Sequence, residues 1–298
     1  MYHQNQGLFE NNLSVSIKAF MQYKSKLQVF AICSENNLDE DSAFENFVNV
    51  SNHLKNQINL NRDFATLCTG SYDLKNIKNK LGVIICAESA LPIGNDLDKL
   101  RLLYKMGLRV LCPAWEGVNK VCGSFDTDVG FTSFGKQVIR ECEKLGIVID
   151  VSHLSKKAFF ELSDFAQKPF IASHSCSASV YPHERNLTAV QINTIMRNGG
   201  ISGLSLVKKH LCAALEHTNS KKLALEMLFK HIVSFINECN DCRLALGLDL
   251  DGTEPITELD NALYAKDIYD FLLHNGINEN KLCEIFYNNA FNYFSNMI

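Results

Sequence analysis

The 298-residue sequence predicts an α/β fold: a (β/α)8 barrel of the TIM type, a single domain over residues 1–298, short of its first strand. Three observations carry that expectation. Apolar runs rich in Val, Ile and Leu alternate with amphipathic segments from one end of the chain to the other. The runs are apolar throughout rather than at every second residue, as in a parallel sheet covered by helices. No glycine-rich phosphate loop follows any of them, which disfavours a nucleotide-binding doubly wound sheet.

Seven strands are expected. LQVFAIC at 27–33 is β-branched and aromatic, and LGVIICAE at 81–88 is apolar until its final carboxylate. RVLCPAW at 109–115 and GIVIDVSH at 146–153 follow, then PFIASHS at 169–175, GISGLSL at 200–206 and CRLALGLDLD at 242–251. A closed barrel of this type needs eight. Helices are expected between them, with apolar residues three and four apart, at 96–107, 131–146, 158–166, 223–238 and 262–276. The first two end on Gly107 and Gly146, good helix stops.

Composition excludes several function classes. The formal charge of −4 leaves no basic footprint, so nucleic acid is not an expected partner. No window approaches the roughly 18 uninterrupted apolar residues of a membrane span, and the polar start MYHQNQGLFENN is no secretory signal. Eleven cysteines scattered singly then read as reduced thiols of a cytoplasmic protein. Cys239 and Cys242 have metal or redox spacing but no second pair, and a structural role is the expectation there.

In such a barrel the C-terminal strand ends build the active site. They carry Glu88, Trp115, His153, His174 and Asp249. One histidine closing a strand is usually structural. Two on consecutive strands, each followed by Ser in SHLS and SHSCS, can share a metal, with bonds of roughly 2.0–2.1 Å to zinc. Glu88 would otherwise be an uncompensated charge in an apolar place, which metal coordination answers; the alternative is a surface loop glutamate. Asp249 and Asp251 lie two apart on the expected last strand and so share a face. An ionised Asp there can orient a metal-bound water, take its proton, or pair with a substrate ammonium. Asp251 before Gly252 also suits a cap. Arg185, on the loop after the His174 strand, could fork onto a substrate carboxylate, although an arginine there is more often solvated.

Glu88, then DVSHLS, SHSCS, RN and GLDLDG, resemble the membrane dipeptidase (renal dipeptidase) family, metallopeptidase family M19. The connecting text DLDKLRLLYKMGLRVL, GFTSFGKQVIRECEKLGIVIDVSHLS and YNNAFNYF is similar to it as well, over about residues 13–295. The resemblance implies a TIM-like barrel of the metal-dependent hydrolase type with two zinc ions. It implies hydrolysis of dipeptides by a metal-bridging hydroxide, some members accepting a D-residue at the C-terminal position. Matching positions make Glu88 the carboxylate bridging both metals and a catalytic group. His153 and His174 become the imidazoles of the second metal. Arg185 would hold the substrate's carboxylate, and Asp249 would act beside the bridging water and the substrate's amino end. Trp115 stands where well-known members carry a substrate-contacting histidine.

The start of the sequence departs from the pattern. The family's first strand ends in a His-x-Asp pair that completes the first metal; here His3 is followed by Gln4 and Asn5. One zinc site is therefore expected to be incomplete, with weak metal binding and low activity, as though the chain began inside the first βα loop. The expected partner is a dipeptide, with no membrane. Family members often dimerise, and no patch in the sequence demands it. Two other classes stay open: another barrel metallohydrolase of amidase or deaminase type, or a degenerate non-catalytic relative.

Overall fold

The computed structural model describes residues 1–34, 37–239, 241–254 and 256–298. Contacts divide the chain into two compact units. One comprises Tyr2, Leu27–Ile171 and Phe294–Ile298; the other comprises Met1, His3–Lys26 and Ala172–Tyr293.

The first unit is built on a parallel five-stranded sheet. Strands β1 (Leu27–Cys33), β2 (Ala65–Leu67), β3 (Leu81–Glu88), β4 (Leu108–Cys112) and β5 (Val148–Ile149) run β1-β3-β4-β5, with β2 joined to β3. Seven of the eight residues of β3 are buried and only Glu88, the last, is half-exposed. Its register aligns Cys33, Glu88 and Cys112 across three strands. The unit's helices start where short polar side chains can take the orphan N–H groups of a first turn. Asp96 caps Leu97–Lys105, Thr132 caps Ser133–Leu145 and Ser155 caps Lys156–Phe165. Gly146 closes the second of these in the left-handed conformation, at φ 77°.

The second unit contains the parallel pair β6 (Ser202–Leu204) and β7 (Leu244–Leu246), to which Ala172 adds a bridge at Ser202. Its helices include Ala189–Arg197, opened by a capping box of Thr188 and Gln191, and the apolar Lys221–Glu238. Among the described residues no helix is long and apolar enough to cross a membrane.

β1 and β3 have the bounds read from the sequence, whereas three expected strands are cut short by turns. The strand expected at 146–153 reduces to Val148–Ile149, and the one at 169–175 to single bridges at Ile171 and Ala172. The last expected strand, 242–251, stops at Leu246. Asp249 and Asp251 lie beyond it with φ of 57° and 65°, so the argument that they share a strand face does not hold. Asp tolerates the left-handed region better than most residues, and a loop there is the result. Asp251 takes the structural role instead, accepting the Ser14 backbone N–H at 2.7 Å.

Eight of the eleven cysteines are buried. Burial pushes the Cys68 and Cys176 thiols up to about 12, and that of Cys86 well above its ordinary value. Cys239 and Cys242 are buried too, Cys239 donating to the Phe235 carbonyl at 3.1 Å. Only Cys283 is exposed. A disulfide-exchange reagent should therefore label the native protein in one fast phase that Cys283→Ser removes. A fast phase that survives that substitution would contradict this burial.

Candidate metal and substrate site

Glu88 is delivered by β3 itself. The residue after it, Ser89, has φ 111°, so the chain turns sharply as soon as the carboxylate is placed. Such strain in a residue with a side chain is a local cost that the surrounding structure must offset.

His153 sits in the turn after β5 rather than on the strand. Asp150 explains the turn: its Oδ1 accepts the Ser152 backbone N–H at 3.0 Å and the Ser152 hydroxyl at 2.8 Å. This side chain–backbone bonding ends the ladder and rotates the next residue out of it. The loop after β4 then fixes the imidazole. The His153 Nδ1 lies 2.8 Å from the Trp115 carbonyl oxygen. A carbonyl can only accept, so Nδ1 carries a proton. The Phe125 N–H donates to the His153 carbonyl at 2.8 Å, holding the same loop against the turn from its far side.

That tautomer has a consequence at the other nitrogen. His153 Nε2 faces Glu88 Oε1 at 3.2 Å, with side-chain exposures of 8% and 14%. In the neutral imidazole both atoms present lone pairs, and in this half-buried place they repel unless positive charge lies between them. A proton or a cation answers that need. Two ligands on a tetrahedral ion with bonds of roughly 2.0–2.1 Å stand about 3.3 Å apart, so the spacing suits zinc. Glu88 and His153 are a carboxylate and imidazole that could help hold a metal ion.

In the second unit His174 follows the Ala172 bridge by two residues and is buried. Arg185 Nη2, which can only donate, lies 2.9 Å from its Nε2. Nε2 therefore offers its lone pair, and the neutral ring is protonated at Nδ1, 2.7 Å from Ser173 Oγ. Both histidines thus keep Nδ1–H on an oxygen and Nε2 as an electron-pair donor, the arrangement in which a partner behind the ring orients a ligand.

Arg185 is 4% exposed, so it is not a solvated surface arginine. Its backbone N–H donates to His183 Nδ1, and Asn186 donates to the Tyr181 and His210 carbonyls. Asp249 is half-buried in its loop, packed so closely on Gly252 that a β-carbon there would meet its Oδ1. Trp115 is half-buried and acts through its carbonyl rather than its ring in fixing His153. The sequence reading passed over Asp150, Ser173 and His210. Asp150 could have been found as the one charge inside a β-branched run. The other two carry no sequence signal, because their roles come from contacts.

The family model for membrane dipeptidase, peptidase family M19, matches residues 4–297. The chain belongs to that family. It is 36% identical over 149 residues to an uncharacterised protein of Acinetobacter calcoaceticus, covering 47% of each chain. An uncharacterised protein of Klebsiella pneumoniae is 28% identical over 233 residues, 75% of this chain and 85% of its own. Mouse dipeptidase 3 is 33% identical over 144 residues, 46% of this chain and 29% of its own length. The chain thus spans less than half the length of the Acinetobacter and mouse relatives in these alignments.

Solved structures of this M19 family show the same fold. A metallopeptidase of family M19, dipeptidase AC, superposes with a TM-score of 0.88 at 22% identity, covering 97% of this chain and 90% of that one. A Rhodobacter sphaeroides metallopeptidase, solved with a phosphinate mimic of the dipeptide L-Ala-D-Ala, gives 0.86 at 20%, covering 97% and 92%. The fold is therefore the TIM-barrel-like α/β fold of the M19 dipeptidases.

Proposed function

We propose that this M19 chain is a metal-dependent dipeptidase, acting as a single domain and hydrolysing the peptide bond of dipeptides with zinc as its metal. The observation that carries the reading is the Glu88 Oε1 and His153 Nε2 pair at 3.2 Å, with the histidine tautomer set by the Trp115 carbonyl. Glu88 and His153 carry the ligand assignment by their geometry, and His174 joins it by the resemblance of its motif SHSCS to the family's. When bound, the ion would polarise the scissile carbonyl and acidify the attacking water.

The remaining roles fall to this chain's own groups. Arg185 binds the substrate's carboxylate once its Nη2–H is released from His174, and its planar fork suits two oxygens. Asp249 holds the substrate's ammonium end or takes the proton of the attacking water. Trp115 keeps His153 in the ligating tautomer and borders the substrate. Eleven cysteines scattered singly along the sequence support a reducing, cytoplasmic setting.

The 298 residues contain no His-x-Asp pair, so we place one metal ion on this chain rather than the family's two, with correspondingly low activity. Metal analysis after zinc loading should give about one zinc per chain, and a dipeptide screen with added zinc should show hydrolysis that chelation abolishes. Two tightly held ions per chain would overturn the single-site assignment. A zinc-loaded chain that cleaves no dipeptide would remove the dipeptidase reading altogether.

A further inference from the structure

We propose that Cys239 and Cys242 form a two-thiolate site for a soft monovalent metal ion, copper(I). The inference is independent of the dipeptidase reading, which leaves this pair and its metal-type spacing unused.

Both cysteines lie in the second unit, where the chain leaves the helix Lys221–Glu238 and enters β7. Cys239 is the C-cap of that helix and has extended backbone, φ −144° and ψ 138°, so the chain turns off the helix axis at the first thiol. Three residues on, the Cys242 side chain meets it, and the two are hydrogen-bonded sulfur to sulfur, Cys242 donating. The Cys239 S–H goes on to the Phe235 carbonyl at 3.1 Å. Both thiols are buried, at 7% and 5% exposure. A short loop thus holds two sulfurs in contact, away from water, before any ion arrives. An ion bound between them would clip the end of the helix to the start of β7.

The surroundings decide what kind of ion. Zinc in a structural site takes four ligands, whereas thiolate and thioether donors suit copper(I). Among the described residues no third His, Cys, Asp or Glu side chain joins the pair in a metal-sized group. A further soft donor does stand close. Met196 is 6% exposed, and its Sδ accepts the Arg243 backbone N–H at 3.4 Å, the N–H of the peptide bond that leaves Cys242. Binding releases two thiol protons, Cu⁺ + 2 RSH → Cu(SR)₂⁻ + 2 H⁺, and leaves one net negative charge. Lys281 and Arg243 are the cations that act on both sulfurs, with Glu238 opposing them at Cys239. Lys281 Nζ is held in place by the Cys242 carbonyl at 2.9 Å, and Arg243 Nε by the Gly200 carbonyl at 3.0 Å. A redox dithiol fits the same place less well. Burial pushes both thiols above their ordinary range, and Cys239 sits at the negative end of its helix, so neither is a ready thiolate nucleophile. A metal ion brings the positive charge that deprotonates its own ligands.

The test uses the full chain carrying Cys283→Ser, which removes the exposed thiol. The reduced protein is loaded with copper(I) in the absence of oxygen and titrated with a bathocuproine chelator. One copper(I) per chain should be retained. Cys239→Ala and Cys242→Ala, each added to that background, should weaken retention by at least about a hundredfold, since even a partner behind a metal ligand is typically worth 10–100-fold. A cooperative thermal transition in each variant shows that its chain is folded. X-ray absorption at the copper edge needs no further variant, and in the loaded Cys283→Ser protein it should show sulfur alone around the ion. Copper held equally well by both alanine variants, nitrogen or oxygen neighbours in the absorption spectrum, or surrender of all copper to the chelator by the Cys283→Ser protein would each overturn the site.

Discussion

Glu88→Gln should lower zinc affinity by at least about a hundredfold and take dipeptide hydrolysis to background, while leaving the metal-free protein as stable as wild type or more so. Even a partner behind a ligand is typically worth 10–100-fold in affinity, and Glu88 is proposed as a ligand itself. The second half of the expectation comes from the geometry. In the wild type, Glu88 Oε1 and His153 Nε2 face each other at 3.2 Å, and the Trp115 carbonyl holds the ring proton on the other nitrogen. A glutamine amide can donate into that Nε2 lone pair, replacing the positive charge that the carboxylate and imidazole require. Zinc at a hundred times its Kd should then raise the wild-type Tm by about 5 °C and leave the variant's unmoved. His153→Ala should lose zinc equally but gain no stability, because it leaves the Trp115 carbonyl and the Glu88 carboxylate without the ring. Zinc binding by Glu88→Gln at wild-type strength would remove Glu88 from the ligand set.

Much of this was legible in the sequence, and the gaps have physical causes. β1 and β3 were read to the residue because an apolar run bounded by polar residues is what a buried strand requires. Seven strands were expected and seven are described, but they are not the same seven. The run at 169–175 contributes only bridges, and Ala65–Leu67, three residues with no pattern, joins β3. The helix Glu40–Leu60 was missed although it is 21 residues long. Its buried face is Ala43, Phe47, Ser51, Leu54 and Ile58, and a serine in mid-stripe breaks the apolar period. The proposed site residues Glu88, His153, His174 and Arg185 could be named from strand ends and spacing, because the proposal rests on their type. Residues that matter by hydrogen bond could not. Nothing in the sequence says that Trp115 acts through its carbonyl, or that Arg185 donates to the Nε2 of a buried histidine.

Two glycines show how far the site's support reaches into β6 and β7, and their substitution gives the largest expected loss of stability. A β-carbon added at Gly203 or at Gly247 would run into the Ser173 carbonyl oxygen, and at either position the next obstacle includes the backbone of the other glycine. Both contacts are with backbone, which cannot rotate away as a side chain can. The hydrogen bonds there confirm how tightly the strands are drawn: Gly203 N–H to Ala172 at 2.7 Å, Ser175 N–H to Gly203 at 2.8 Å, and Gly247 N–H to Leu204 at 3.0 Å. Relief must come from moving Ser173, and the next residue is His174. Gly203→Ala and Gly247→Ala should therefore each cost about 3 kcal/mol, at the upper end for overpacking, and lower Tm by roughly 6 °C or more. They should weaken zinc binding as well, because the displaced segment carries a proposed ligand. Gly70→Ala is the control: its φ of −169° suits any residue, and a methyl there meets nothing within 4 Å. That variant should stay within about 0.5 kcal/mol of wild type. A Gly247→Ala protein as stable as the control would mean that Ser173 has room to yield, and the close packing of these glycines would then not be what places His174.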